Sequence, residues 1–221
     1  MKRNNLFAVL ILVCLFGLLS CGMAAAAEVP YDLSSGDLKI NVTNTNTMTI
    51  NGGRTSYSIS DTVISVNSSG ITNNAIYIDG RNQTSANTIQ IILNGVDIEA
   101  QYQSKTSLSY KQNPISIVNR AKVNLEIKED TVNSLKAPDW YAAIRVSNGT
   151  QMTMNGTGTL NIQGGSYAAG IGGNAGLNNA AGESTGSITI NDGIININVA
   201  EYSIGIGGGA GGIGSVGKYS G

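Results

Sequence analysis

Apolar and polar residues alternate along short stretches of this chain. Val123, Leu125 and Ile127 alternate with Asn124, Glu126 and Lys128. Met152 and Met154 alternate with Gln151 and Thr153, and Leu160 and Ile162 follow the same rule. Ile188 and Ile190, then Ile195, Ile197 and Val199, repeat it. A period of two marks strands with one face buried. Beyond the leader no stretch holds a helical period over three turns. Gly and Asn punctuate the strands. The pattern predicts an all-β domain.

The strands recur in units. Tyr141-Ala142-Ala143-Ile144 precedes two short strands around Asn155-Gly156. Tyr167-Ala168-Ala169-Gly170-Ile171-Gly172-Gly173 precedes two more around Asn191-Asp192-Gly193. Tyr202-Ser203-Ile204-Gly205-Ile206 opens a third unit, and Pro114 to Leu135 reads as an earlier, less regular one. The longer spacing of the second unit falls in the Gly-, Asn- and Ala-rich stretch 173–185, read as a loop protruding from a corner. Asn-Gly between alternating segments is also a hairpin signal, at Asn51-Gly52, Asn94-Gly95 and Asn155-Gly156, and would favour an antiparallel sandwich. The repeat decides against that. Stacking equivalent positions into ladders is the habit of a solenoid, and the expected fold is a right-handed parallel β-helix. Residues 31–50 are expected to cap its open N-terminal end. Lys218-Tyr219-Ser220-Gly221 aligns with Glu183-Ser184-Thr185-Gly186, which leads into a strand, so the helix is expected to be truncated, with further coils missing.

The first 27 residues read as an export signal: Met1-Lys2-Arg3, an apolar run from Leu6 to Leu19, then four alanines before Glu28. Leu18-Leu19-Ser20-Cys21 competes as a lipobox that would leave a lipidated Cys21. An uncleaved anchor is the third reading, and all three place 28–221 outside the cytoplasm as a single domain, secreted or held at the cell surface. Composition then excludes several chemistries. The chain has no His, and Cys14 and Cys21 both lie in the leader. No His general base, Ser-His-Asp triad, His/Cys zinc site or disulfide framework is available to the mature domain. Charged residues make up 12% of the chain, so Asn, Ser, Thr and Gly supply its polarity. The slight acidic excess lacks the basic stripe of a nucleic-acid binder. Gly170-Ile171-Gly172-Gly173 is no phosphate loop, because no helix follows it.

One ordered series of motifs carries a resemblance. It runs Ile92-Leu93-Asn94-Gly95-Val96-Asp97-Ile98, Pro114 to Asn119, Val123 to Ile127, Asn133-Ser134-Leu135, Ala142-Ala143-Ile144 and Met154 to Ile162. The series resembles a family of secreted bacterial carbohydrate-binding β-helices known from cellulolytic clostridia. The later Ala-Gly-Ile-Gly-Gly and Ile-Thr-Ile-Asn-Asp-Gly units resemble repeats of large surface proteins of Firmicutes and adhesin-like proteins of methanogens. The resemblance implies binding of acidic plant polysaccharide, with calcium held by clustered carboxylates. Here the acidic residues are scattered. Glu129-Asp130 with Asp139 is the only local concentration, and it reads as a solvated corner. No metal site is assigned, and calcium stands as the one ion the resemblance allows.

Tyr141, Tyr167 and Tyr202 recur at one place in the repeat and are expected to form a ladder. Trp140 and Arg145 beside it complete a candidate carbohydrate platform, since aromatic rings stack on sugars and Tyr hydroxyls bond them. A ladder that merely seals a corner is the competing use of the same residues. Asp97 and Glu99 share one strand face at a spacing that suits an acid/base pair, or two solvated carboxylates. The expected function is polysaccharide binding or adhesion without catalysis. A β-helix lyase or glycoside hydrolase, a surface stalk and an ice-binding Thr ladder are the alternatives.

Overall fold

The structure is a computed structural model, and it describes residues 26–84, 86–102, 110–177 and 180–211. Residues 1–25 of the export signal, Cys21 among them, and the segment 212–221 lie outside the described residues. The chain opens with β1 (Ala27–Asp32), β2 (Leu38–Val42), β3 (Thr47–Ile50) and β4 (Tyr57–Ser58). It continues through β5 (Thr62–Asn67), β6 (Ile76–Asp79), β7 (Ile89–Leu93), β8 (Asp97–Glu99) and β9 (Ile115–Val118). Then come β10 (Lys122–Ile127), β11 (Val132–Lys136), β12 (Ile144–Val146), β13 (Gln151–Asn155), β14 (Thr159–Gln163) and β15 (Ala169–Gly172). The last are β16 (Ser187–Ile190), β17 (Ile194–Asn198) and β18 (Ile204–Gly207).

These strands form three sheets. Sheet I has the order β1-β5-β7-β10-β13-β16, sheet II β8-β11-β14-β17, and sheet III β4-β3-β2-β6-β9-β12-β15-β18. From β7 onward the chain visits I, II and III in strict rotation. Every pairing in sheets I and II is parallel. A sandwich of hairpins is therefore excluded, and the fold is all-β with parallel sheets of stacked strands. The antiparallel exception is at the start of sheet III, where β2 pairs β3 and β3 pairs β4. The expected cap at 31–50 is thus divided. Tyr31 and β2 already belong to parallel sheets, while β3 with β4 adds an antiparallel ribbon to one edge.

The period of two becomes columns of side chains. In sheet I the register stacks Ile64, Ile91, Leu125 and Met154. Sheet II stacks Ile98, Leu135 and Ile162, and sheet III stacks Ile76, Ile115, Ile144 and Ile171. All of these are buried in one continuous core. A single turn of chain could not bury its apolar face, so each column is stabilised by the turns on either side. Ile190 and Ile206, in the last described turn, are 40% and 41% exposed.

Corners repeat as well. Asn94-Gly95 and Asn155-Gly156 each join a strand of sheet I to one of sheet II, whereas Asn51-Gly52 lies in the β3–β4 connection and is a true hairpin turn. Gly156 has φ +93°, and a Cβ there would sit 2.1 Å from the Ile127 carbonyl oxygen of the turn beneath. Gly149 has a similar φ of +81° but open space around it. The pair separates backbone strain from crowding. Gly149→Ala should cost about 1–2 kcal/mol in urea unfolding, the usual penalty of a left-handed conformation. Gly156→Ala should cost distinctly more, because coil stacking must also open. Equal losses would mean the turns are not packed this closely.

Candidate functional site

Three surfaces hold the sequence candidates, and each is built by the stacking of turns. The first is a corner. Trp140, Tyr167 and Tyr202 all adopt left-handed backbone angles, with φ of 77°, 67° and 56°. That conformation is costly for bulky residues. It recurs because the same inter-turn bonds recur: Trp140 N donates to Ser166 O at 2.9 Å, and Tyr167 N to Glu201 O at 3.2 Å. The rings then stack, Trp140 on Tyr167 with centroids 4.6 Å apart and Tyr167 on Tyr202 with centroids 5.1 Å apart. The expected ladder exists, but its first rung is Trp140, not Tyr141. A one-residue offset in the alignment of Tyr-Ala-Ala hid this. Stacking also covers the ring faces that a sugar would use, and Trp140 packs against the core. Only Tyr202, at 72% exposure, presents much of its ring to solvent.

The second surface is a cavity of about 420 Å³. Its walls include Asn113, Tyr141, Arg145, Asn174, Ala175, Leu177, Ala180 and Glu183. Tyr141 points inward and is only 5% exposed. Burial pushes its phenol up, against a lowering hydrogen bond from Gln112. Arg145 stands on the outer face of β12, in register with Ser116 of β9 and Gly172 of β15. Gly172 cannot carry a side chain, because a Cβ there would lie 1.9 Å from Gly207 O. The segment 180–186 runs back along β12 and brings Glu183 to Arg145. Arg145 Nε and Nη2 donate to Glu183 Oε2 and Oε1 at 2.8 and 2.7 Å, a bidentate pair. Asn113 Nδ2 donates to Asn174 Oδ1 at 2.7 Å, and Ala142 N donates to the same oxygen at 2.8 Å. The loop is tied back by these amides. Glu183 and Asn174 were not singled out from the sequence. The length of the 173–185 insertion was the one signal that located them.

Further along sheet III, Asp79 is held between Arg81 and Asn119, with Arg81 Nη2 donating at 2.7 Å and Asn119 Nδ2 at 3.1 Å. Burial pushes this carboxyl up, but the Arg81 side-chain and backbone bonds and the Asn119 amide outweigh it, so its pKa lies below the ordinary 3.8.

The third surface is the outer face of sheet II. One row there reads Asp97, Ser134, Asn161, Asn196, and the next reads Glu99, Lys136, Gln163, Asn198. Lys136 Nζ donates to Glu99 Oε1 at 2.8 Å across the two strands. Asn196 Nδ2 donates to Asn161 Oδ1 at 2.9 Å. The rows line a shallow groove of about 600 Å³. Neither row was chosen from the sequence, where Asp97 and Glu99 were read apart from their neighbours. Asp97 and Glu99 do share one face, but Glu99 is bound to Lys136. Behind the rows, Asn133 points inward instead of an apolar residue. Its Oδ1 accepts from Gly95 N and Val96 N at 3.0 and 2.8 Å and so ties one corner to the turn before it.

Among the described residues no group of three or more His, Cys, Asp or Glu gathers where a metal could be held. Comparison with family models, with curated proteins and with solved structures finds no match to this chain.

Two outcomes are expected of these corners. Tyr167→Ala removes a ring stacked on both sides and should cost about 1–3 kcal/mol in urea unfolding, more than Tyr202→Ala. An unchanged midpoint would mean the stack contributes nothing to the fold. The depressed Asp79 pKa stabilises the folded state above pH 3.8, and that contribution is lost as pH falls through the lower folded value. Asp79→Asn should therefore flatten the acid limb of a stability-against-pH curve below about pH 4. An acid limb that keeps its full slope would place the titration elsewhere.

Proposed function

We propose that this protein is an extracellular right-handed parallel β-helix that binds polysaccharide along the outer face of sheet II and does not cleave it. Right-handedness follows from the chirality of parallel crossovers. Export follows from the leader pattern, and the family resemblance of the motifs supports a glycan as ligand. The observation that carries the proposal is the pair of register-aligned rows, Ser134-Asn161-Asn196 and Lys136-Gln163-Asn198. Strands in a sheet repeat at about 4.8 Å, so donors and acceptors, neutral apart from Lys136, recur at a fixed interval along the molecule. Among the described residues nothing takes up the Asn161 amide N–H groups, the Asn196 carbonyl, or the Gln163 and Asn198 amides. Each contact is weak. A polymer lying along the rows engages several at once, and avidity does the rest.

Catalysis has less support. A glycosidase needs two carboxylates facing across its substrate. The cavity offers Glu183 alone, already tied to Arg145. The aromatic stack supports a second reading, a structural stalk, because stacked rings at one corner stiffen a rod without needing a ligand.

The test is incubation of the folded domain with insoluble neutral and acidic polysaccharides, reading bound protein and released sugar together. Binding without release is expected. Asn161→Ala with Asn196→Ala should weaken binding about tenfold, since a neutral hydrogen bond contributes about 0.5–1.5 kcal/mol. Released oligosaccharide would favour an enzyme. Absence of binding would leave the stalk.

A further inference from the structure

The cavity between β12 and the segments 173–177 and 180–186 lies on sheet III, away from the sheet II rows, and its chemistry is specific. Its volume, about 420 Å³, falls in the range of small-molecule sites. One wall is apolar, from Ala175, Leu177 and Ala180. The other is the planar Arg145–Glu183 pair. The two charges cancel, and neither side chain is sealed off: 30% of Arg145 and 22% of Glu183 remain accessible. The pair uses Arg145 Nε and one Nη2 hydrogen. Glu183 Oε2 also accepts from Asn174 N at 3.3 Å, which leaves the second Nη2 hydrogen as a donor directly beside the remaining lone pair of Oε1, with the Nη1 hydrogens further along the guanidinium. A donor set next to an acceptor set, with no net charge, matches adjacent hydroxyls on a sugar ring, because each hydroxyl both donates and accepts. The apolar wall matches the C–H face of the same ring. A uronate matches poorly. Its carboxylate needs the guanidinium fork that Glu183 already fills, and it would meet Glu183 as a like charge.

We infer that this cavity is a second glycan site that takes one neutral sugar unit, a chain end or a branch, and that Glu183 excludes acidic sugars from it by occupying Arg145. The inference rests on the glycan-binding reading and extends it to a separate face. Glu183→Gln keeps the shape and an oxygen for Arg145, but it frees a positive charge. It should convert a neutral-sugar site into one that favours a carboxylate.

The experiment uses the domain carrying Asn161→Ala and Asn196→Ala, so that sheet II contributes little. A neutral β-glucan hexaose and a hexagalacturonate are titrated against the side-chain amide resonances of Asn113 and Asn174, which line the cavity and remain in every variant. With Glu183 present, the neutral hexaose should bind at least tenfold more tightly than the acidic one. With Glu183→Gln, that ratio should fall at least tenfold, and the gain for the acidic hexaose should shrink as salt rises. Arg145→Met with Glu183→Leu should lose the neutral hexaose without gaining the acidic one. An unchanged near-ultraviolet signal from the Trp140–Tyr167 stack confirms that each variant is folded. A ratio indifferent to Glu183→Gln, or an acidic preference in its presence, overturns the inference and leaves sheet II binding intact. Failure of the unsubstituted domain to bind any glycan overturns the glycan reading itself, and this site with it.

Discussion

Every feature of this molecule depends on hydrogen bonding between successive turns held in register. A strand such as β10 has no useful partner within its own turn. Its backbone groups are satisfied by β7 on one side and β13 on the other. Unpaired backbone groups in a buried sheet are costly, so the register is fixed along the whole stack. Once it is fixed, whatever residue stands at one position is placed directly over its equivalents. Apolar equivalents make the core columns, aromatic ones make the corner stack, and amides make the outer rows.

The same constraint explains where chemistry can arise. A regular turn presents only flat faces, which suit an extended polymer and little else. A concave site requires a departure from regularity. Here the segments 173–177 and 180–186 supply it, the second by running back along β12 and pairing Glu183 with Arg145. Glycine at 173 lets these two segments meet, since a Cβ there would lie 2.0 Å from the Glu183 carbonyl oxygen. The functions proposed for this scaffold divide accordingly into repetitive faces that act by number and one insertion that acts by shape.

The strand class and the repeat were legible in the sequence, because period and repetition are local signals. The aromatic ladder was half legible. Its existence followed from Tyr167 and Tyr202, but aligning on tyrosine placed Tyr141 where Trp140 stands. The left-handed φ shared by Trp140, Tyr167 and Tyr202, together with the pairing of Ile144 with Ile171 and Ile171 with Ile206, fixes the register. Asn133 broke the alternation rule, since a buried amide that bonds two backbone N–H groups looks like a solvent-facing residue in sequence. Asn51-Gly52 and Asn155-Gly156 are identical dipeptides in different roles, and only the strands they connect distinguish hairpin from corner. The Arg145–Glu183 pair joins residues far apart in the chain, and no motif announces a contact made by loop closure.

The central claim is that glycan lies along the outer rows of sheet II. The most direct measurement follows the side-chain amide resonances of Asn161, Gln163, Asn196 and Asn198 as a soluble neutral oligosaccharide is added. The account predicts graded shifts in all four, larger with a longer oligosaccharide because more turns are engaged at once. Shifts absent from these amides while the ligand binds elsewhere would contradict it.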